Sequence, residues 1–420
     1  MHMNKKKEIV PKLRFPGFGT SEGWKKYKLR ELADRITKKV GDNKLVTLSI
    51  SAGIGFVSQA EKFSRDISGK QYCNYIYLKK GEFSYNKGNS KTFPQGCIYE
   101  LKEYDEAAVP NAFISFRFKE NLVPSFYQGY FDCNFHGKQL VRFITSGARS
   151  DGLLNISPTD FFSIVLPTPV KKEEQQKIAD CLSSIDDLID AESRKLKALE
   201  KYKKGLMQKL FPAEGKTLPE WRFPEFQGCG EWKYEEIGNI GEVITGKTPS
   251  TSDATLWDGD IQFVTPTDIT ENKYQCRTQR TVVKTPKMKV LPKHTIMFTC
   301  IASIGKMALS LYPCITNQQI NSIVPKSCYN NEFIYYSLLQ KTFLIKAGFA
   351  NSTLPIINKT DFSKIQVPVI LDKKEQQKIA DCLSEVDTMI EEQSNKVEQL
   401  KAHKKGLMQG LFPSLEEADV

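Results

Sequence analysis

One stretch of 39 residues is written twice, and that duplication limits what the chain can fold into more than any other feature. Residues 174–212 align without a gap on residues 375–413, and 24 of the 39 positions are identical, from EQQKIADCLS at the start to KKGLMQ-x-LFP at the end. The apolar positions of the first copy are Ile178, Leu182, Ile185, Ile189, Leu196, Leu199, Leu206 and Leu210. Those of the second are Ile379, Leu383, Val386, Ile390, Val397, Leu400, Leu407 and Leu411. The spacing alternates four and three, broken by polar residues only at Glu192 and Lys203 in one copy and Gln393 and Lys404 in the other. A seam of this period, sustained over about five heptads and free of proline, predicts a coiled-coil helix. Two such helices in one chain can pair, and an antiparallel pairing would bring Glu192 and Lys203 each to the polar break of the partner, fixing register. The alternative is an amphipathic helix lying on its own domain. A helix of about 50 Å, at ~1.5 Å per residue, is longer than a small domain is wide.

A weaker echo precedes each helix. VPKLRFPGF at 10–18 matches LPEWRFPEF at 218–226, and Trp24 matches Trp232 at the same offset of 208. Between opener and helix lie two regions, roughly 24–166 and 232–367, that hardly resemble each other. They alternate short apolar runs with Gly, Asn and Pro breaks, as in YIYLKKGEFSYNKG and IQFVTPTDI, and predict strands and turns with some helix. Each ends in a similar descent, TDFFSIVLPTP (159–169) and TDFSKIQVPVI (360–370). The expected fold class is α+β, with two globular domains joined by two long helices that form an antiparallel intramolecular coiled coil. Along the chain this gives an N-terminal segment (1–23), a first domain (24–170), the first helix (171–212) and a linker (213–231). A second domain (232–370), the second helix (371–413) and a tail (414–420) follow. A repeated frame around two diverged middles suits one scaffold carrying two different reading heads.

At 420 residues the chain is too long for one ordinary core. Its 60 Lys and Arg against 49 Asp and Glu give a net charge of +11, which suits a polyanionic partner. The start, MHMNKKKEIVPKLRF, is basic without an apolar stretch, so no secretory signal is expected. No run approaches the ~18 uncharged apolar residues of a membrane span. The ten cysteines are scattered with no C-x-x-C pair, and the four histidines lack ligand spacing. Reduced thiols in a cytoplasm are expected, with no disulfide frame and no metal site.

Motifs that resemble chemistry are weak. GEVITGKT (241–248) satisfies G-x-x-x-x-G-K-[ST], but Pro249 and a polar run follow where a phosphate-binding loop needs a helix. Asp260, Glu271 and Lys273 could be drawn as a nuclease triad, a spacing that arises by chance in chains of this size. No Pro-Pro pair exists, so the Asn/Asp-Pro-Pro-aromatic motif of adenine methyltransferases is absent. No catalytic residue and no cofactor are expected. Candidate nucleic-acid contacts, by contrast, sit on several loops, where Lys, Arg, Asn, Gln, Ser and Thr can meet phosphates and base edges. In the first region these are Lys87, Asn89, Ser90 and Lys91, then Arg149 and Ser150. In the second they are Lys247, Thr248 and Ser250, Lys306, Asn317 and Gln318, and Asn351 and Thr353. Any one of them could be a solvated loop residue, and Asn317 and Gln318 could be structural.

The pair of variable regions, each closed by a Pro-marked descent into E-Q-x-x-I and a duplicated helix, resembles the specificity (S) subunits of Type I restriction–modification enzymes. The opener LRFPGF…W and the TGKTPS after the second Trp are similar to that family too. The likeness covers essentially the whole chain. It implies that each variable region is a target recognition domain reading one half of a bipartite site in double-stranded DNA. It also implies that the helices space the two domains and that the scaffold recruits two modification (methyltransferase) subunits and then restriction (endonuclease/translocase) subunits. The S subunit itself would carry no chemistry, and would work in the cytoplasm without a membrane. The alternative is a non-DNA protein-interaction adaptor built on a coiled coil; a self-contained restriction or methylation enzyme is a weaker rival.

Overall fold

The computed structural model describes residues 9–88, 93–144, 154–286, 288–301, 303–349 and 356–413. The chain forms two compact units, Met1–Ala191 with Glu398–Val420, and Glu192–Val397. Two helices of 39 residues, Lys172–Leu210 and Lys373–Leu411, are shared between them. Each begins in one unit and ends in the other. Each is about 58 Å long and stops ahead of a proline, Pro212 or Pro413, which cannot continue the backbone hydrogen bonding. Among the described residues no helix is long and apolar enough to cross a membrane.

Every seam position is buried or half-buried. Ile178, Leu182, Leu210, Ile379, Leu383, Val386, Val397 and Leu411 are buried. Ile185, Ile189, Leu196, Leu199, Leu206, Ile390, Leu400 and Leu407 are half-buried. In the first unit Lys404 Nζ meets Asp186 Oδ1 at 2.6 Å, and in the second Lys203 Nζ meets Asp387 Oδ1 at 2.5 Å. One position rises as its partner falls, so the helices run antiparallel. The two pairs are the same contact written twice, because 404 − 203 and 387 − 186 are both 201.

The polar breaks behave differently from one another. Glu192 does meet its counterpart: Gln393 Nε2 donates to Glu192 Oε2 at 2.6 Å and to its carbonyl at 3.0 Å, and Lys396 adds a contact to Oε1 at 2.5 Å. Lys203 and Lys404 do not approach a polar break of the partner helix. Each takes an aspartate that flanks the seam, because the antiparallel register sets Lys203 opposite Asp387 and Lys404 opposite Asp186, 17 positions along from the other lysine in each helix (203 − 186 and 404 − 387). The alternative of a helix lying on its own domain also describes part of what is seen. Ile178, Ala179 and Leu182 belong to the core of the first unit, and Ile379, Ala380 and Leu383 to that of the second. The other end of each helix closes the opposite core, with Met408, Leu411 and Phe412 in the first and Met207, Leu210 and Phe211 in the second.

In the first unit the strands are β1 (Lys25–Lys28), β2 (Ala33–Ile36), β3 (Leu48–Ser51), β4 (Gly55–Ser58), β5 (Ile76–Lys79) and β6 (Phe83–Asn86). They continue as β7 (Cys97–Glu100), β8 (Glu106–Val109), β9 (Ile114–Phe118) and β10 (Val165–Thr168). A four-stranded antiparallel sheet has the order β2-β9-β6-β7. Its inner face carries Phe83, Phe116 and Phe118, which pack with Phe131 and Tyr127 in an aromatic core. The helix Pro124–Asp132 comes so close to the long helices that a Cβ on Gly129 would stand 2.8 Å from both Leu182 and Phe412.

The second unit contains β11 (Lys233–Glu236), β12 (Gly241–Thr245), β13 (Trp257–Val264), β14 (Tyr274–Gln275) and β15 (Arg280–Val282). It continues with β16 (Ile296–Thr299), β17 (Met307–Ser310), β18 (Cys314–Thr316), β19 (Ile320–Pro325) and β20 (Gln366–Val369). One sheet has the order β12-β19-β16-β17-β14 and another β15-β13-β18. The pairs β13–β18 and β14–β17 are parallel. The frame around both units is the same. β1 pairs with β10 and β11 with β20, both antiparallel, and the short helices before β10 and β20 are capped by Ser157 and Asn358.

Candidate nucleic-acid interface

In the second unit, sheet register gathers three of the candidate loops. Thr245 at the end of β12 stands opposite Asn321 near the start of β19, and Asn321 opposite Phe298 near the end of β16. Phe298 in turn stands opposite Met307, the first residue of β17. The segments 246–250, 300–301 with 303–306, and 317–319 therefore all leave from one end of the five-stranded sheet. Thr248 Oγ1 donates to Gln318 Oε1 at 2.6 Å, which ties two of them together. Cys300 N donates to the Gln319 carbonyl at 2.8 Å, joining the third. Lys247, Ser250, Lys306 and Gln318 are exposed there and Thr248 is half-exposed. Beside Lys247 and Pro249 opens a groove of about 850 Å³ with Leu256, Met288, Lys289 and Ile315 in its walls.

Asn317 belongs to the framework of this end and not to its surface. It is 8% exposed, its Oδ1 accepts from Gln319 N at 3.1 Å, and its Nδ2 donates to Gln319 Oε1 at 3.1 Å. The backbone amides of Gly246 and Lys247 are likewise structural. The Gly246 amide donates to the Ile320 carbonyl and the Lys247 amide to that of Thr316, so neither faces a phosphate. A Cβ at Gly246 would lie 2.2 Å from two carbonyl oxygens, which is why glycine stands there. Lys273, from the imagined triad, is held by Glu332 at 3.2 Å and by Ser384 at 2.7 Å.

In the first unit Lys87 follows β6 and is half-buried. Asn86 Oδ1 accepts from Gly88 N at 2.9 Å and starts the turn, while Leu154 N donates to the Lys87 carbonyl at 3.0 Å. The segments on either side of the two candidate loops are thus adjacent. Asn89, Ser90, Lys91, Arg149, Ser150, Asn351 and Thr353 lie outside the described residues. Among the described residues no group of three or more His, Cys, Asp or Glu side chains is placed to hold a metal ion.

What the sequence did not reveal is how the repeated opener works. Arg14 makes a two-pronged contact with Glu174, Nε to Oε1 and Nη2 to Oε2, both at 2.8 Å. Arg222 makes the same contact with Glu375, both bonds at 2.7 Å. All four side chains are under 10% exposed, and Glu375 holds the Arg222 guanidinium above its ordinary pKa. The neighbouring residue reaches the end of the other helix: Leu13 N donates to the Gly410 carbonyl at 2.9 Å, and Trp221 N to that of Lys209 at 3.0 Å. Each opener is a strap across the start of one long helix and the end of the other. The matched Arg and Glu of the two copies were the available signal, but a pairing across about 150 residues has no local pattern.

Comparison with known proteins agrees with this architecture. The family model described as Type I restriction modification DNA specificity domain matches twice, over residues 21–201 and 230–402. The MjaIX specificity subunit of a Type I restriction enzyme from Methanocaldococcus jannaschii is 35% identical over 179 residues, 41% of this chain and 41% of that one. The HindI specificity subunit from Haemophilus influenzae is 31% identical over 146 residues, 32% of this chain and 31% of that one. These matches thus span less than half the length of either relative. A crystal structure of the Type-I restriction-modification system S subunit from M. genitalium superposes with a TM-score of 0.63 at 16% identity, covering 96% of this chain and 99% of that one. A second solved chain, from work on complex assembly and conformational transition of the type I R-M system, gives 0.55 at 15% identity, covering 94% and 97%. With two specificity-domain matches over most of its length and the fold of solved S subunits, the chain belongs to the Type I restriction–modification specificity subunit family.

Proposed function

We propose that this chain reads a bipartite target in double-stranded DNA, one half-site per unit, and scaffolds two methyltransferase subunits and the restriction subunits of a Type I system without carrying out chemistry itself. The observation that carries the reading is the convergence of Lys247, Thr248, Lys306 and Gln318 at one sheet end, on loops that differ between units inside a frame that does not. Such loops can differ in what they read while the frame stays constant. The paired helices set the distance between the two heads, and the net charge of +11 favours a polyanion. The repeated frame offers two equivalent surfaces, and so two copies of one partner. The partners follow from the family and from the complex assembly named for one solved relative.

The test is duplex binding by the full chain across a salt series. Lys247→Ala and Lys306→Ala should each weaken every duplex sequence and flatten the log–log salt slope by about 1 per lost phosphate contact. Gln318→Ala should instead relax the preferred sequence at one position. Salt slopes identical to that of the parent chain would reject the assignment of the two lysines.

A further inference from the structure

A concavity on the first unit, away from the candidate loops, gathers four cations. It holds about 390 Å³, within the range of ligand sites of ~300–1,000 Å³. Arg35 comes from β2, Lys38 from the residues just after it, Arg117 from β9, and Lys79 from the end of β5. All four are exposed, and among the described residues none forms an ion pair with a carboxylate. Asp34, directly opposite Arg117 in the β2–β9 register, makes no ion pair with it. The carboxyl inside the pocket is Glu82, which accepts from the Lys79 backbone amide at 2.7 Å. Burial pushes that carboxyl above its ordinary range against the pull of Arg117, Lys79 and Lys38. Glu106, opposite Lys79 in the β5–β8 register and accepting from the Tyr77 hydroxyl, and Asp34, opposite Arg117, stand nearby, so four cations face three carboxyls and the pocket keeps a net positive field that an anion would relieve.

The chemistry favours a phosphodiester over an apolar ligand. Half of the lining residues are cationic, whereas small-molecule sites are mostly apolar. The Tyr77 ring in the wall is capped by Lys38 Nζ at 4.2 Å from its centroid and so does not offer a bare face for a base. Two guanidiniums and two ammoniums are the groups that hold backbone phosphate. The pocket also lies within reach of a duplex on the candidate loops. Glu82 and Lys87 bracket β6, about 16 Å apart at ~3.3 Å per residue, close to the rise of five base pairs.

We propose that Arg35, Lys38, Lys79 and Arg117 form a phosphate clamp of the first unit that grips the backbone of the bound duplex without reading its sequence. This rests on the DNA-reading function above. The experiment compares the full-length parent chain with R35Q/R117Q and K38E/K79E on a random duplex, on the preferred duplex and on inorganic phosphate alone. Thermal midpoints serve as the control for folding. Both variants should bind the two duplexes at least tenfold more weakly near 0.15 M salt, with a salt slope lower by about 2 and the same preferred sequence. A parent chain that binds no duplex sinks the DNA-reading function itself. A parent chain that binds, with folded variants of equal affinity and slope, overturns the clamp alone. Loss of inorganic phosphate binding with unchanged duplex affinity would show a site for a free phosphate compound, and that too overturns the clamp.

Discussion

The residues that fix the architecture most firmly are two arginines that read in sequence as ordinary surface charge. Arg14 and Arg222 each place a guanidinium fork on a first-turn carboxylate of a long helix, out of water. Removing one partner of a buried pair leaves the other uncompensated, which typically costs about 3–5 kcal/mol, whereas replacing both by apolar side chains costs far less. Glu174→Ala and Glu375→Ala should therefore lower stability to urea by about 3–5 kcal/mol each. Arg14→Met with Glu174→Leu should recover most of that loss. A loss under about 1 kcal/mol for either single change would show that the strap is not stressed in the fold. The copies differ beside the strap: Trp24 Nε1 donates to Glu174 at 3.1 Å, while Trp232 Nε1 has no hydrogen-bond partner among the described residues.

A second residue-scale effect depends on pH. His136 is fully buried, with Nε2 3.4 Å from the Gly96 carbonyl, and burial holds its pKa down at about 4. The unfolded chain takes up that proton near pH 6.5 and the folded chain only near 4. Stability from the neutral ring is therefore complete above about pH 6.5 and falls as pH drops through the window to about 4, by about 3 kcal/mol in all. Urea titrations at pH 7 and pH 4.5 should show a smaller drop for His136→Gln than for the parent. Equal drops would contradict the assignment.

At the scale of elements, the helices repay comparison with their text. Their period, antiparallel pairing and the Glu192–Gln393 meeting were legible, because a seven-residue seam with matched polar breaks leaves few alignments open. The Lys203–Asp387 and Lys404–Asp186 pairs were not, because the aspartates sit beside the seam and look like solvent-facing charge. Lys203 and Asp387 are under 20% exposed, and Tyr336 adds a donor to Asp387 at 2.5 Å. Lys203→Ala should cost about 1–2 kcal/mol in urea. The exchange of charges in K203D/D387K should restore part of what either single reversal loses; a cycle with no coupling would reject the contact. Gln393 also explains why the second copy departs from Glu at this place. A Gln393→Glu change sets two carboxylates against each other, so the midpoint should fall at pH 7 and recover as the pH drops below the ordinary carboxylate range.

For the whole molecule, the sequence disclosed the repeated frame and little of what it encloses. Openers, exit strands and helices are near-copies, so their roles could be matched by position. The sheets could not be foreseen, because strands of mostly three to five residues in two diverged regions carry no long period, and parallel pairs such as β13–β18 join segments about fifty residues apart. For the candidate interface, exposed polar loops were visible in the sequence, but their convergence depends on the register of β12, β19, β16 and β17. Asn317 shows the limit of that reading: a residue well suited to adenine by type is used up inside its own turn.

On the proposed function, a constant frame holds two independent readers at a set distance. The most direct measurement is selection of bound duplexes from a random-sequence pool, first with this chain and then with residues 24–166 replaced by the matching region of another specificity subunit. Two short enriched blocks with a constant gap are expected, and after the exchange one new block, one old block and the same gap. A single enriched block, or an exchange that alters both blocks or the gap, would contradict the proposed function.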